Sequence, residues 1–168
     1  MKVVRIFQAF VLLLIVHLLL GLSQGILFGL IIGPIKEFNA LAPWIQITIV
    51  MILGLILYTI AGMQIALRFK NIRSINEGAV LFTVILIGIL IYSLYLVQFV
   101  GASNGEIYFM IANYPILVML RNMKDAGHIG QLLISLSALV PSLGFRFGFW
   151  IKRKRITEIQ SAGGHVSR

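Results

Sequence analysis

Cysteine is absent from this chain of 168 residues, and acidic side chains number only five. The first absence excludes disulfides, thiolate metal sites and cysteine nucleophiles, and it leaves the redox compartment unreadable from cysteine usage. The second bears on membrane chemistry. Glu37, Glu77, Glu106, Asp125 and Glu158 all fall outside the long apolar stretches. Ion-coupled pumps and transporters commonly place carboxylates inside the membrane as relay or cation sites, so that class loses support. Paired aspartates for intramembrane hydrolysis and an HExxH zinc helix are missing as well, and a Ser–His dyad would have to be assembled from separate helices. The chain is therefore expected not to be an enzyme, and to hold no metal and no cofactor.

What is present is apolar. Hydrophobic residues make up 60% of the chain and charged residues 11%, with a mean hydropathy of +1.01. A soluble core of this size cannot bury so much apolar surface, so the chain belongs in a membrane. Four stretches, at 6–32, 44–67, 79–100 and 128–150, reach the roughly 20 residues that a helix needs to span about 30 Å of hydrocarbon. The expected fold is an all-α integral membrane protein, a four-transmembrane-helix bundle. A single transmembrane domain would cover 1–151, and a short basic tail would follow over 152–168.

The charges order these spans. Lys2 and Arg5 precede the first, Arg68, Lys70 and Arg73 follow the second, and Lys152, Arg153, Lys154 and Arg155 close the fourth. With Arg168 this puts ten Lys and Arg on one side against Lys36, Arg121 and Lys124 on the other. The positive-inside rule then places both termini in the cytoplasm and the chain in the plasma membrane as a multi-pass protein. The same distribution explains the net charge of +9 without a nucleic-acid partner, because the basic residues stand where membrane insertion requires them. The run Lys152, Arg153, Lys154 and Arg155 is a candidate contact for anionic lipid headgroups as well as a stop-transfer anchor.

Residues 107–120 are apolar but too short to span, with Asn113 and Pro115 in their middle. A crossing there would carry the 152–155 cluster to the outer side, so an interfacial or re-entrant helix between the third and fourth spans is expected. The first span resembles a signal peptide in its basic start and in Gly21-Leu22-Ser23, but its apolar run continues to Ile32, which suits a tilted span.

Within that span Gly21, Gly25, Gly29 and Gly33 recur at every fourth position, one further step from His17. Side chains four apart lie nearly above one another on a helix, so this glycine zipper makes a groove in which a second backbone can approach closely. His17 falls about 16 Å along the axis from Ile6, near the bilayer midplane. An intramembrane imidazole is a functional candidate; the reading favoured over it is a structural group satisfied by a neighbouring helix, for instance by Ser135 or Ser137. Gln24 joins it as a candidate polar site, while Gln64, Gln98 and Gln131 read as interhelical glue. Gly54 and Gly62 with Ala66, and Gly144 with Gly148, offer further small faces. Phe145, Phe147, Phe149 and Trp150 are expected to ring Arg146 at the membrane interface, with Arg146 snorkelling toward headgroups.

His128 is a weak second ligand candidate, since a bis-histidine haem needs both imidazoles at one level and helix rise separates these by about 10 Å or more. His165 lies in the polar tail. The expected function is an accessory or helix-packing subunit of a membrane complex or homo-oligomer, with lipid and another membrane protein or a second copy as partners. The alternatives are a small channel or transport component lined by the glycine stripe and His17, or a redox subunit holding haem or quinone.

Overall fold

The computed structural model describes residues 2–32, 34–68, 72–95, 133 and 136–163. They are helical almost throughout. α1 runs Lys2–Leu27 and continues as a π-helical turn over Phe28–Ile32; α2 is the single turn Lys36–Asn39; α3 is Pro43–Arg68, α4 is Ile72–Tyr95 and α5 is Val140–Gly163. Among the described residues three helices are long and apolar enough to cross a membrane: Val3–Ile32, Pro43–Leu67 and Arg73–Tyr92. The bundle is thus an all-helical one of membrane-compatible helices.

Prolines set several of these boundaries. Pro34 cannot continue the helical hydrogen-bond ladder, so the first span ends at Ile32 as expected, and Ile35 N–H donates to the Ile32 carbonyl at 3.0 Å in the turn that follows. Pro43 opens α3, where a missing N–H costs nothing, and the Ala42 carbonyl accepts from Ile45 and Gln46. The Gln46 side chain turns back to donate to the Leu41 carbonyl at 2.8 Å.

Two expected boundaries need correction. The third span was expected from residue 79, but α4 begins at Ile72. Arg73 and Glu77 pair at 3.2 Å across one turn, and Ser74 and Ile75 are buried, so polar residues join this helix through local pairing and packing. The fourth span was expected as one helix over 128–150. Instead Ala138 and Leu139 form a turn and α5 starts at Val140. Pro141 then occupies its first turn and contributes no N–H to a helix continuing from upstream. α5 also runs beyond the expected end at 150, through Lys152 and on to Gly163, because no helix breaker intervenes before the Gly163-Gly164 pair. The segment 107–120, with His128, Ser135, Gln98, Gln131, His165 and Gly33, lies outside the described residues.

The contacts fix helix directions. Gly54 faces Val140, and Gly62 and Thr59 face Gly148, so α3 and α5 run parallel in a constant register. Gly78 of α4 meets Ile6, Ala9 and Phe10 and, further along both helices, Phe82 meets His17, which makes α1 and α4 parallel, while His17 meets Tyr58 and Gln24 meets Gly54, which sets α1 against α3. The starts of α1 and α4 and the ends of the apolar parts of α3 and α5 therefore share one end of the bundle. Arg5, Arg73, Lys152, Arg153 and Lys154 gather there.

The main core joins the four long helices of the described residues: Leu13 from α1, Tyr58, Ile65 and Ala66 from α3, Ile75, Ala79, Phe82 and Leu86 from α4, Phe145 and Phe149 from α5. A smaller cluster at the opposite end packs Ile32, Phe38, Met51, Leu90 and Leu133 around Ile47 and Val50. Outward-facing side chains are large and apolar, including Leu19, Ile26, Ile56, Val84 and Ile91. That surface suits contact with acyl chains rather than water.

Candidate functional site in the bundle core

His17 is 1% exposed. Its Nδ1 lies 2.8 Å from the Tyr58 hydroxyl, and the same hydroxyl stands 3.5 Å from the His17 carbonyl oxygen. Tyr58 O–H donates to that carbonyl, and a neutral imidazole protonated on Nδ1 donates to the hydroxyl oxygen, so one tautomer satisfies both contacts. The edge of the Phe82 ring closes on His17 with centroids 5.5 Å apart. Phe145 in turn makes edge contacts with Tyr58 at 5.2 Å and with Phe82 at 5.7 Å.

One ring from each long helix thus meets in a single buried node. Edge-to-face pairs place the positive rim of one ring on the negative face of the next, and each adds about 0.5–1.5 kcal/mol beyond simple burial. Phe145 was expected at the interface around Arg146; it is instead wholly buried, as is Phe149. The reason is helical phase, since Phe145 and Phe149 share the inward face with Gly144 and Gly148 while Phe147 and Trp150 point outward.

The small faces of α3 and α5 bring these rings together. A Cβ added at Gly62 would stand 2.7 Å from the Phe145 carbonyl oxygen, and one at Gly148 would collide with the Thr59 carbonyl oxygen. Both glycines are occupied by the neighbouring backbone, the close approach that small residues permit between membrane helices. Gly54, Tyr58, Gly62 and Ala66 all face inward at every fourth position. Tyr58 is the partner that sequence reading missed, and its place midway between Gly54 and Gly62 was the available signal.

The stripe on α1 differs from its expected form. Buried positions run Ala9, Leu13, His17, Gly21 and then Gln24, while Gly25 is half-buried. An α-helix turns about 100° per residue, so steps of four drift by about 40° each and the buried line must move to a step of three. Gly29 lies in the π-helical turn.

Gln24 is 1% exposed, and neither its Oε1 nor its Nε2 has a hydrogen-bond partner among the described residues. Its amide rests against Gly54, where an added Cβ would come 3.8 Å from both atoms. The buried Ser142 hydroxyl is likewise unpaired among the described residues.

The expectation that no Gly-x-Ser-x-Gly occurs is wrong: Gly21-Leu22-Ser23-Gln24-Gly25 matches that pattern of hydrolase nucleophile elbows. That motif works on a strained strand-to-helix turn. Here Ser23 sits inside α1, exposed, with its hydroxyl donated to the Leu20 carbonyl at 2.9 Å. Six residues separate it from His17, about 240° around the helix, so the pair forms no dyad. Among the described residues no group of three or more His, Asp and Glu stands ready for a metal ion. No known protein family, curated protein or solved structure matches this chain.

Proposed function

We propose that the chain is a non-enzymatic, multi-pass plasma-membrane protein that serves as an accessory or helix-packing subunit, within a larger membrane complex or a homo-oligomer. The observation that carries this reading is the His17–Tyr58 contact enclosed by Phe82 and Phe145. A polar pair shut off by rings from two further helices serves as a registration device for a bundle: it fixes which helices meet and at what height, and presents no surface to a substrate. The exposed apolar residues along the outside then meet lipid or a partner's helices. The clustering of basic side chains at one end of the bundle supports a cytoplasmic location for both termini, by the positive-inside rule. Four spans, with a re-entrant or interfacial helix at 107–120 and lipid-headgroup contacts at 152–155, complete this reading.

The test is the mass and visible absorbance of the protein extracted natively in detergent, by size-exclusion chromatography with light scattering. A homo-oligomer that Gly25→Leu or Gly29→Leu dissociates, or a larger protein that co-purifies, supports the proposal. A colourless monomer whose thermal stability is untouched by both substitutions removes it, and a Soret band replaces it with a redox role.

One observation favours a second reading, a small conduit. The Gln24 amide, unpaired among the described residues, stands about 10 Å along α1 from His17 by helix rise, and a polar line of that kind suits passage of a small polar solute. In proteoliposomes His17→Ala would then change flux and its pH profile without changing oligomer size. The redox alternative draws less from the fold, because Nδ1 of His17 is engaged by Tyr58.

A further inference from the structure

We propose that a cleft between α4 and α5 holds the phosphate of an anionic lipid headgroup, with Arg146 and Arg153 as its charged contacts and Asn76 as a neutral donor from the facing helix. The cleft has a volume of about 100 Å³ and is lined by Asn76, Arg146, Phe149, Trp150 and Arg153. This is well below the roughly 300–1,000 Å³ of sites for drug-sized ligands, so it suits a group of a few atoms.

Among the described residues its lining carries two guanidinium groups and one amide. Seven residues separate the arginines. Two turns of helix place them on one face about 10.5 Å apart along the axis, from where both side chains can converge on one tetrahedral anion. Guanidinium forks match phosphate oxygens in geometry as well as charge. The cleft also lies at the basic end of the bundle, where α4 begins and the apolar part of α5 ends, the level at which headgroups stand.

A lipid rather than a free anion follows from what adjoins the cleft. Leu143, Phe147 and Trp150 are each more than half exposed, at 56%, 53% and 56%. They continue up the outer face of α5 from the arginines, at spacings of three and four residues. An acyl chain can lie along that stripe while its phosphate enters the cleft. Lys154 stands over the Trp150 ring at 5.9 Å, which adds positive charge at the headgroup level. The arrangement reassigns Arg146 from a lone snorkelling side chain to one half of a two-arginine site.

The test is native mass spectrometry of the full chain in a neutral detergent, titrated with phosphatidylglycerol and, in parallel, with phosphatidylcholine. Retention of phosphatidylglycerol over phosphatidylcholine is expected, and Arg146→Gln and Arg153→Gln should each weaken it about fivefold, the share of one basic residue near an anionic surface. Arg5→Gln, an exposed basic residue of α1 at the same end of the bundle, serves as the control for general surface charge and should change binding little. The melting temperature of each variant in lipid-free detergent checks its fold; should Arg146→Gln unfold, Arg153→Gln carries the comparison. Equal losses in all three variants, or none in the arginine variants, overturn the site. Inorganic phosphate that displaces the lipid at millimolar concentration overturns the lipid as its ligand.

Discussion

The imidazole of His17 and the hydroxyl of Tyr58 meet 2.8 Å apart across 41 intervening steps of chain. The contact ties α1 to α3 at the level where Phe82 and Phe145 bring in α4 and α5. Interhelical hydrogen bonds in membranes average about 0.6 kcal/mol, because the separated helices find other partners. This one is enclosed by rings, so its loss leaves a polar atom with no water to replace the missing partner.

Tyr58→Phe should therefore lower stability by about 1–2 kcal/mol, and His17→Leu by a similar amount. In a double-mutant cycle the pair should cost less than the two singles together, by about 0.6–1.7 kcal/mol. Thermal or denaturant unfolding in detergent measures all four proteins. Strict additivity would show that the two groups do not interact.

Phe145 is the ring that three others touch: Tyr58, Phe82 and Phe149. Phe145→Ala should cost about 3–5 kcal/mol, as expected when a fully enclosed ring leaves a cavity. Phe147→Ala, on the outward side of the same helix, should cost much less. Equal effects in an unfolding assay would return Phe145 to the interface where the sequence alone suggests it.

Much of this was readable in the residues. The long apolar runs disclose membrane helices, and Gly54/Gly62/Ala66 and Gly144/Gly148 stand out as small faces, though only the fold pairs the one with the other. Tyr58 was not read as part of the site, because a tyrosine in an apolar run suits lipid, interface or core equally, and only the fold decides among them. The start of α4 was hidden by the polar run from Arg73 to Glu77, which hydropathy reads as loop although its charges pair along a helix. The turn at Ala138–Leu139 depends on where Pro141 falls relative to the preceding chain, a matter of packing rather than periodicity.

Glycines of the same bundle should respond in opposite ways to one methyl group. An added Cβ at Gly148 meets the backbone of α3, whereas one at Gly88 meets nothing within 4 Å. Gly148→Ala should destabilise by about 2 kcal/mol or more, as overpacking of a rigid contact does. Gly88→Ala should be neutral or stabilise by up to about 1 kcal/mol through helix propensity. Melting temperatures of the two variants in one detergent decide it; no loss at Gly148 would mean that α3 and α5 are not in backbone contact.

Gln24 separates the packing reading from the conduit reading more sharply than any other residue. Its amide is buried against Gly54 without a partner among the described residues. An unsatisfied buried amide costs about 1–3 kcal/mol, and an apolar side chain of like size removes that cost. If the chain serves only as a packed scaffold, Gln24→Leu should raise thermal stability and leave oligomer mass unchanged. A polar group kept at such cost in a conduit is kept for what passes it, so there Gln24→Leu should raise stability equally but abolish solute flux in proteoliposomes. Both readings share the gain in stability; a loss instead would show that the amide is satisfied in the membrane, and would remove it from either account.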